Sequence, residues 1–109
     1  LATSDLLDLQ KQVREVFTAP ALLDYVQALI RYTRQSADFI NGLSPRAGLA
    51  VLNAARAWAF MDDRSQVIPE DVQAVLPSVA GHRLCPVTGY LSLGASQIAD
   101  RLITEVPIP

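Results

Sequence analysis

The chain has 109 residues, half of them apolar, and a formal net charge of −2; that suits one small packed domain and lacks the basic balance of a nucleic-acid-binding domain. Lys11 is the only lysine, so no lysine-rich membrane-surface face is available, and no stretch approaches the ~18 apolar residues of a membrane span. Cys85 is the only cysteine, which excludes an internal disulfide and a zinc knuckle; a free thiol suits a reducing compartment, and the expectation is a cytoplasmic protein without nucleic-acid or membrane partners.

No basic, apolar leader opens the chain, and its start at Leu1 rather than methionine reads as an excised fragment. Leu6, Leu9, Val13 and Val16 recur as one helical stripe, with Ser4 or Asp5 placed to cap it. Thr18-Ala-Pro20 breaks that run, and a second helix starts near Pro20, where a proline loses no hydrogen bond. Leu22, Tyr25, Val26, Leu29 and Ile30 form its apolar face, which fades near Gln35; Arg31 and Arg34 near its end suit the helix dipole. Residues 36–43 read as a loop closed by Asn41-Gly42. Ser44-Pro45 is a strong helix start, and the alanine-rich helix that follows runs to about Met61. Its expected stripe is Leu49, Leu52, Ala55 and Ala59, widened by Val51 and Trp58, with Asp62-Asp63 as its end. Trp58 reads as a core residue. Gln66-Val67-Ile68 is an extended link, and Pro69-Glu70-Asp71 opens a helix carrying Val72, Val75, Leu76 and Val79, which Pro77 is placed to split. Residues 81–93 read mostly as loop, and a last helix spans 95–106 with Ile98 and Leu102 one turn apart. No useful period-2 stretch occurs. The fold class is therefore all-α, a small helical bundle of about four to five helices.

An autonomous enzyme finds no constellation here. His82 has no Cys or Ser partner at a recognisable spacing, and no phosphate loop, HExxH or GxSxG occurs. The acidic pairs Asp62-Asp63 and Glu70-Asp71 read as solvated helix ends. The informative segment is Gly42-Leu-Ser-Pro-Arg46-Ala-Gly. Ser44 caps, Pro45 presets the first turn, and Arg46 falls within it. A helix N-terminus offers free N–H groups and about +0.5 of a charge, so an arginine there is mildly unfavourable unless an anion arrives. Its planar guanidinium suits phosphate oxygens. On these residues alone, a plain surface arginine is the competing reading.

Gly42-Leu-Ser-Pro-Arg46-Ala, Ala54-Ala-Arg56-Ala-Trp-Ala59, Arg64, Val67, Pro69-Glu-Asp-Val72 and His82-Arg83-Leu84, together with the Tyr25-to-Arg34 helix, resemble the lid domain of MoxR-type AAA+ ATPases. The resemblance covers residues 6–84. It implies one helical lid domain over 1–109, an ATPase domain absent from this chain, and residues 85–109 as a C-terminal extension carrying the last helix. By the resemblance Arg46 takes the sensor-2 role, contacting the γ-phosphate of ATP bound with Mg²⁺ mainly by the large domain, while Ser44 and Pro45 position it. No cofactor is expected to bind this fragment tightly. The parent would be an ATP hydrolase, the fragment itself no enzyme. The implied partners are the chain's own large domain, neighbouring subunits of a hexameric ring, and a client of a chaperone-like machine.

Two departures from the family pattern stand out. Asp63 occupies a position where glycine is common, and Ile68 one where threonine caps the next helix, a loss of about 0.5–2 kcal/mol. His82 and Arg83 could reach a neighbouring subunit or bond a helix C-terminus; Cys85 reads as inert. Two other classes compete: a free-standing helical protein–protein adaptor without a nucleotide role, and a helix-turn-helix DNA binder using the helix from Ser44, whose only cations are Arg46 and Arg56.

Overall fold

The computed structural model describes residues 3–35, 42–79 and 95–108. Five helices follow one another: α1 Thr3–Arg14, α2 Pro20–Gln35, α3 Pro45–Met61, α4 Pro69–Val79 and α5 Ala95–Glu105. The fold is all-α; among the described residues the only β-type pairing is an isolated bridge between Phe17 and Gln66. None of these helices is long and apolar enough to cross a membrane. The expected loop over 81–93, with His82, Arg83 and Cys85, lies outside the described residues.

α3 is the central helix, packing against α1, α2 and α4, while α4 and α2 also pack on α5. Its buried face is Ala47, Gly48, Val51, Leu52, Ala55 and Ala59. Small side chains on this face let neighbouring helices approach closely: a Cβ added at Gly48 would lie 3.3 Å from Ile30 Cγ1 of α2. Leu49, assigned to the stripe from sequence, is instead 61% exposed, because it stands about 100° around the helix from Gly48. Trp58, read as core, is 48% exposed. The last turns of α3 fill the interior with Ala55 and Ala59, leaving the indole outside beside Met61.

α2 buries Leu22, Tyr25, Val26, Leu29 and Thr33. The fully buried Tyr25 keeps its hydroxyl partnered, accepting from Gln73 Nε2 at 3.3 Å. Ile98, Ala99, Leu102 and Val106 close the core from α5 and its end. α4 buries Val72, Val75 and Leu76 and runs unbroken through Pro77. That proline lies near the helix end, so it forfeits one bond, to the Gln73 carbonyl, rather than splitting the helix. α1 overturns its expectation most fully. It starts at Thr3, ahead of both proposed caps, and buries none of its residues. Leu6, Leu7 and Leu9 are exposed, and of the expected stripe only Val16, beyond the helix end, is buried.

The lower end of α3 is closed by backbone geometry. Arg64 N–H donates to the Ala59 carbonyl at 2.9 Å and Asp63 N–H to that of Phe60 at 3.0 Å, the paired bonds of a Schellman ending. This ending needs a left-handed residue, and Asp63 has φ 59°. The glycine common at that position in the family pattern thus has a conformational reason. Arg64 then pairs with Asp62 and Asp71. Asp71, read from sequence as a solvated helix end, is 1% exposed. Its carboxylate accepts the Ile68 N–H at 2.8 Å, so the third helical residue reaches back to the cap position and makes one half of a capping box; the other half needs a side-chain oxygen that Ile68 lacks. The connection before α2 is stitched to the one before α4: Phe17 N–H donates to Ser65 and Val67 N–H to Phe17, both at 2.9 Å.

Asp63→Gly removes the left-handed strain. It is expected to stabilise the chain by about 1 kcal/mol, raising the thermal midpoint by about 4–8 °C, as read by circular dichroism.

Candidate functional site: the N-terminus of α3

The segment from Gly42 to Gly48 is held by four local constraints. Gly42 lies flat against the last turn of α2: a Cβ there would come within 2.6 Å of Arg34 Cα and 2.8 Å of Arg34 N. Its requirement is space. Leu43 is buried, and its N–H donates to Thr33 Oγ1 at 2.9 Å. Thr33, itself 1% exposed, donates in turn to the Ile30 carbonyl at 2.7 Å. Ser44 sits in extended backbone and its Oγ accepts the Ala47 N–H at 3.1 Å. The Ser44 carbonyl accepts from Gly48 N–H at 3.1 Å, starting the helix.

These bonds account for the first turn's donors. Ala47 and Gly48 N–H groups are used, and Pro45 has none. Among the described residues the Arg46 N–H has no bonded acceptor, and it stands at the positive end of a 17-residue helix. The Arg46 side chain is exposed and lines a cavity of about 310 Å³ with Gly42, Leu43, Ser44 and Ala47. Of the three residues singled out from sequence, Ser44 and Arg46 line this cavity, while Pro45 lines the groove between α2 and α3. Ser44 caps and Pro45 occupies the first helical position. A permanent cation, a free amide and a helix dipole converging on one concavity can hold an anion the size of one phosphate group. Among the described residues no cluster of three or more His, Cys, Asp or Glu could hold a metal ion.

Thr33 and Gly42 complete the site, and the sequence reading had not given them this part. Thr33 was legible: it continues the spacing Leu22, Val26, Leu29 along the buried face of α2, and a hydroxyl in an apolar register calls for a partner. The role of Gly42 was hidden, because Asn41-Gly42 reads as a turn while its real constraint is a contact with Arg34, eight residues earlier. Arg56, the other cation of α3, is half-buried and leans toward Thr18, with Nη2 3.5 Å from its Oγ1. α3 therefore presents one exposed cation, which removes the charge a DNA-recognition helix would need.

The profile of the AAA lid domain matches residues 31–104. The chain belongs to the AAA lid domain family. The match includes α5. Over its whole length the lid is 35% identical to the chaperone MoxR1 of Mycobacterium tuberculosis and 30% identical to protein YeaC of Bacillus subtilis, spanning 32% and 35% of those proteins. Over 62% of its length it is 46% identical to protein MoxR of Paracoccus denitrificans, spanning 21% of it. The lid thus covers about a third or less of these relatives. The crystal structure of a candidate ATPase from Cytophaga hutchinsonii superposes with a TM-score of 0.87 over 97% of the lid and 36% of that chain, at 24% identity. The likeness shows the shared fold.

The Thr33–Leu43 bond is testable by itself. Thr33→Val keeps the shape and strands the buried Leu43 N–H, at an expected cost of about 1–3 kcal/mol in urea denaturation. Thr33→Ser, which keeps the hydroxyl, is expected to recover most of the difference.

Proposed function

We propose that this lid supplies Arg46 as the sensor-2 arginine of a MoxR-type AAA+ ATPase, reading the terminal phosphate of ATP held by the large domain. The observation that carries the reading is the exposed Arg46 at the braced start of α3, with its own N–H left free beside it. An arginine at the positive end of a helix does nothing for the helix. The bracing from Gly42, Thr33 and Leu43 fixes its position to the rest of the lid all the same. A free-standing adaptor has no need of that construction.

ATP with Mg²⁺ supplies the anionic phosphate chain, and the large domain of the parent would hold most of it. The part of this chain is binding and orientation. The Arg46 guanidinium donates to phosphate oxygens and offsets their charge, and Ser44 and Pro45 fix the turn from which it reaches. Because α3 is packed into the bundle, a pull on Arg46 moves the lid as one body, and loss of the terminal phosphate releases it. That is domain closure driven by differential contact in two states. Ring assembly with neighbouring subunits, a chaperone-like action on a client and a cytosolic setting complete the proposal. The lid spans residues 1–109, α5 included.

In the full-length ATPase, Arg46→Ala is expected to lower ATP turnover by the order of 10²-fold, with the thermal midpoint of the lid unchanged. Arg46→Lys keeps the charge without the fork and is expected to recover only part of the loss. Near-normal turnover in the alanine variant would overturn the assignment.

A further inference from the structure

Among the described residues two apolar surfaces lie open, and their charges match. The first is a groove of about 770 Å³ between α2 and α3. Leu23, Ile30, Leu49 and Leu52 give it apolar walls, and Arg31 and Arg34 stand along one side. Among the described residues no carboxylate lines it. The second is α1. Leu6 and Leu9 form its exposed stripe, with Leu7 beside them, 49%, 40% and 58% exposed respectively. Asp5 and Asp8 flank the stripe on one side.

We propose that the α2/α3 groove takes α1 of a second copy of this chain. Three features fit the occupant to the groove. α1 has 12 residues and is therefore about 18 Å long. The groove runs along α2 from Leu23 to Gln35, about 18 Å of helix. The two arginines are three residues apart on α2, and the two aspartates three residues apart on α1, so both pairs repeat at about 4.5 Å along their axes. A single docked register brings Asp5 and Asp8 against Arg31 and Arg34 while the leucine stripe enters the apolar channel. The occupant comes from another molecule, since α1 packs on α3 and none of its residues lines the groove of its own chain.

Such a contact joins unlike surfaces. It is heterologous, and it builds a closed ring or an open chain of copies rather than a two-fold pair. One short helix in one groove is a small interface, so the dissociation constant is on the order of 10⁻⁴ M. Arg46 takes no part, and the inference stands whether or not Arg46 reads a nucleotide.

Sedimentation velocity of the 109-residue chain over about 10 µM to 1 mM tests it. The expected result is a sedimentation coefficient that climbs with concentration and falls back with added salt. Arg31→Glu/Arg34→Glu and Asp5→Arg/Asp8→Arg are each expected to weaken association by about tenfold or more, and an equimolar mixture of the two variants is expected to regain it. All four positions are exposed, and circular dichroism checks that both variants stay helical. A monomer at every concentration overturns the proposal. So does association lost in the α1 variant but kept in the groove variant, which would mean that α1 pairs with itself or with another face. Association that survives both variants overturns it too.

Discussion

The lid is organised by the close approach between the last turn of α2 and the first residues of α3. Two helix ends meeting inside a small domain present a polar problem, because N–H groups at one end and carbonyls at the other lose their intrahelical partners. Here the problem is solved with side chains already in the core. The Thr33 hydroxyl takes the Leu43 N–H and returns a bond to α2, Ser44 caps α3, and Gly42 passes where no Cβ fits. The irregular stretch over residues 42–44 is thereby tied down by contacts that a small displacement would break. A guanidinium is useful for reading a phosphate only if its root is fixed, and Arg46 grows from this turn.

The far end of α3 is held just as firmly by different means. A Schellman ending through Asp63 turns the chain, Arg64 pairs with the buried Asp71, and the Phe17 bridge ties the α1–α2 connection to the α3–α4 connection. A buried ion pair is a weak argument for net stability, since desolvation offsets much of the attraction. Its clear effect is geometric: Asp71 serves Arg64 with one oxygen and the Ile68 amide with the other, fixing where α4 starts. Both ends of α3 are thus fixed, and a face of Ala, Gly and Val is pressed on its neighbours. In the mechanism proposed, a force applied at Arg46 would reach the opposite end of the bundle without being absorbed in a hinge on the way.

Helix positions were largely legible in the sequence, because prolines, a serine cap and apolar spacing are local signals. Pro20, Ser44-Pro45 and Pro69 stand where α2, α3 and α4 begin. The elements of the candidate site were legible for the same reason, since cap, proline and arginine occupy consecutive positions. What could not be read was which apolar residues would be covered. Leu49, Trp58 and the stripe of α1 have the spacing of core residues, but spacing says only that a helix has an apolar face, not that this chain supplies its cover. The burial of Asp71 escaped for the converse reason. An acidic residue in a first turn is the ordinary solvated arrangement, and only the folded position of Arg64 makes burial tolerable.

The distribution of exposed apolar side chains follows from this difference between local and long-range constraints. Leu49 and Trp58 lie nine residues apart and thus about 180° apart on α3, so the helix shows apolar surface on two opposite flanks while its N-terminal tip is polar and fixed. α1 adds a third open surface. A monomeric domain normally covers such residues or replaces them with polar ones. This chain keeps them, and it spans about a third or less of the relatives it matches. The polar tip is built by backbone geometry and so is complete within the lid, whereas the apolar flanks stay exposed. On this division, the ligand reading proposed for Arg46 would rest on the lid's own fold, and the proposed assembly on what meets the flanks.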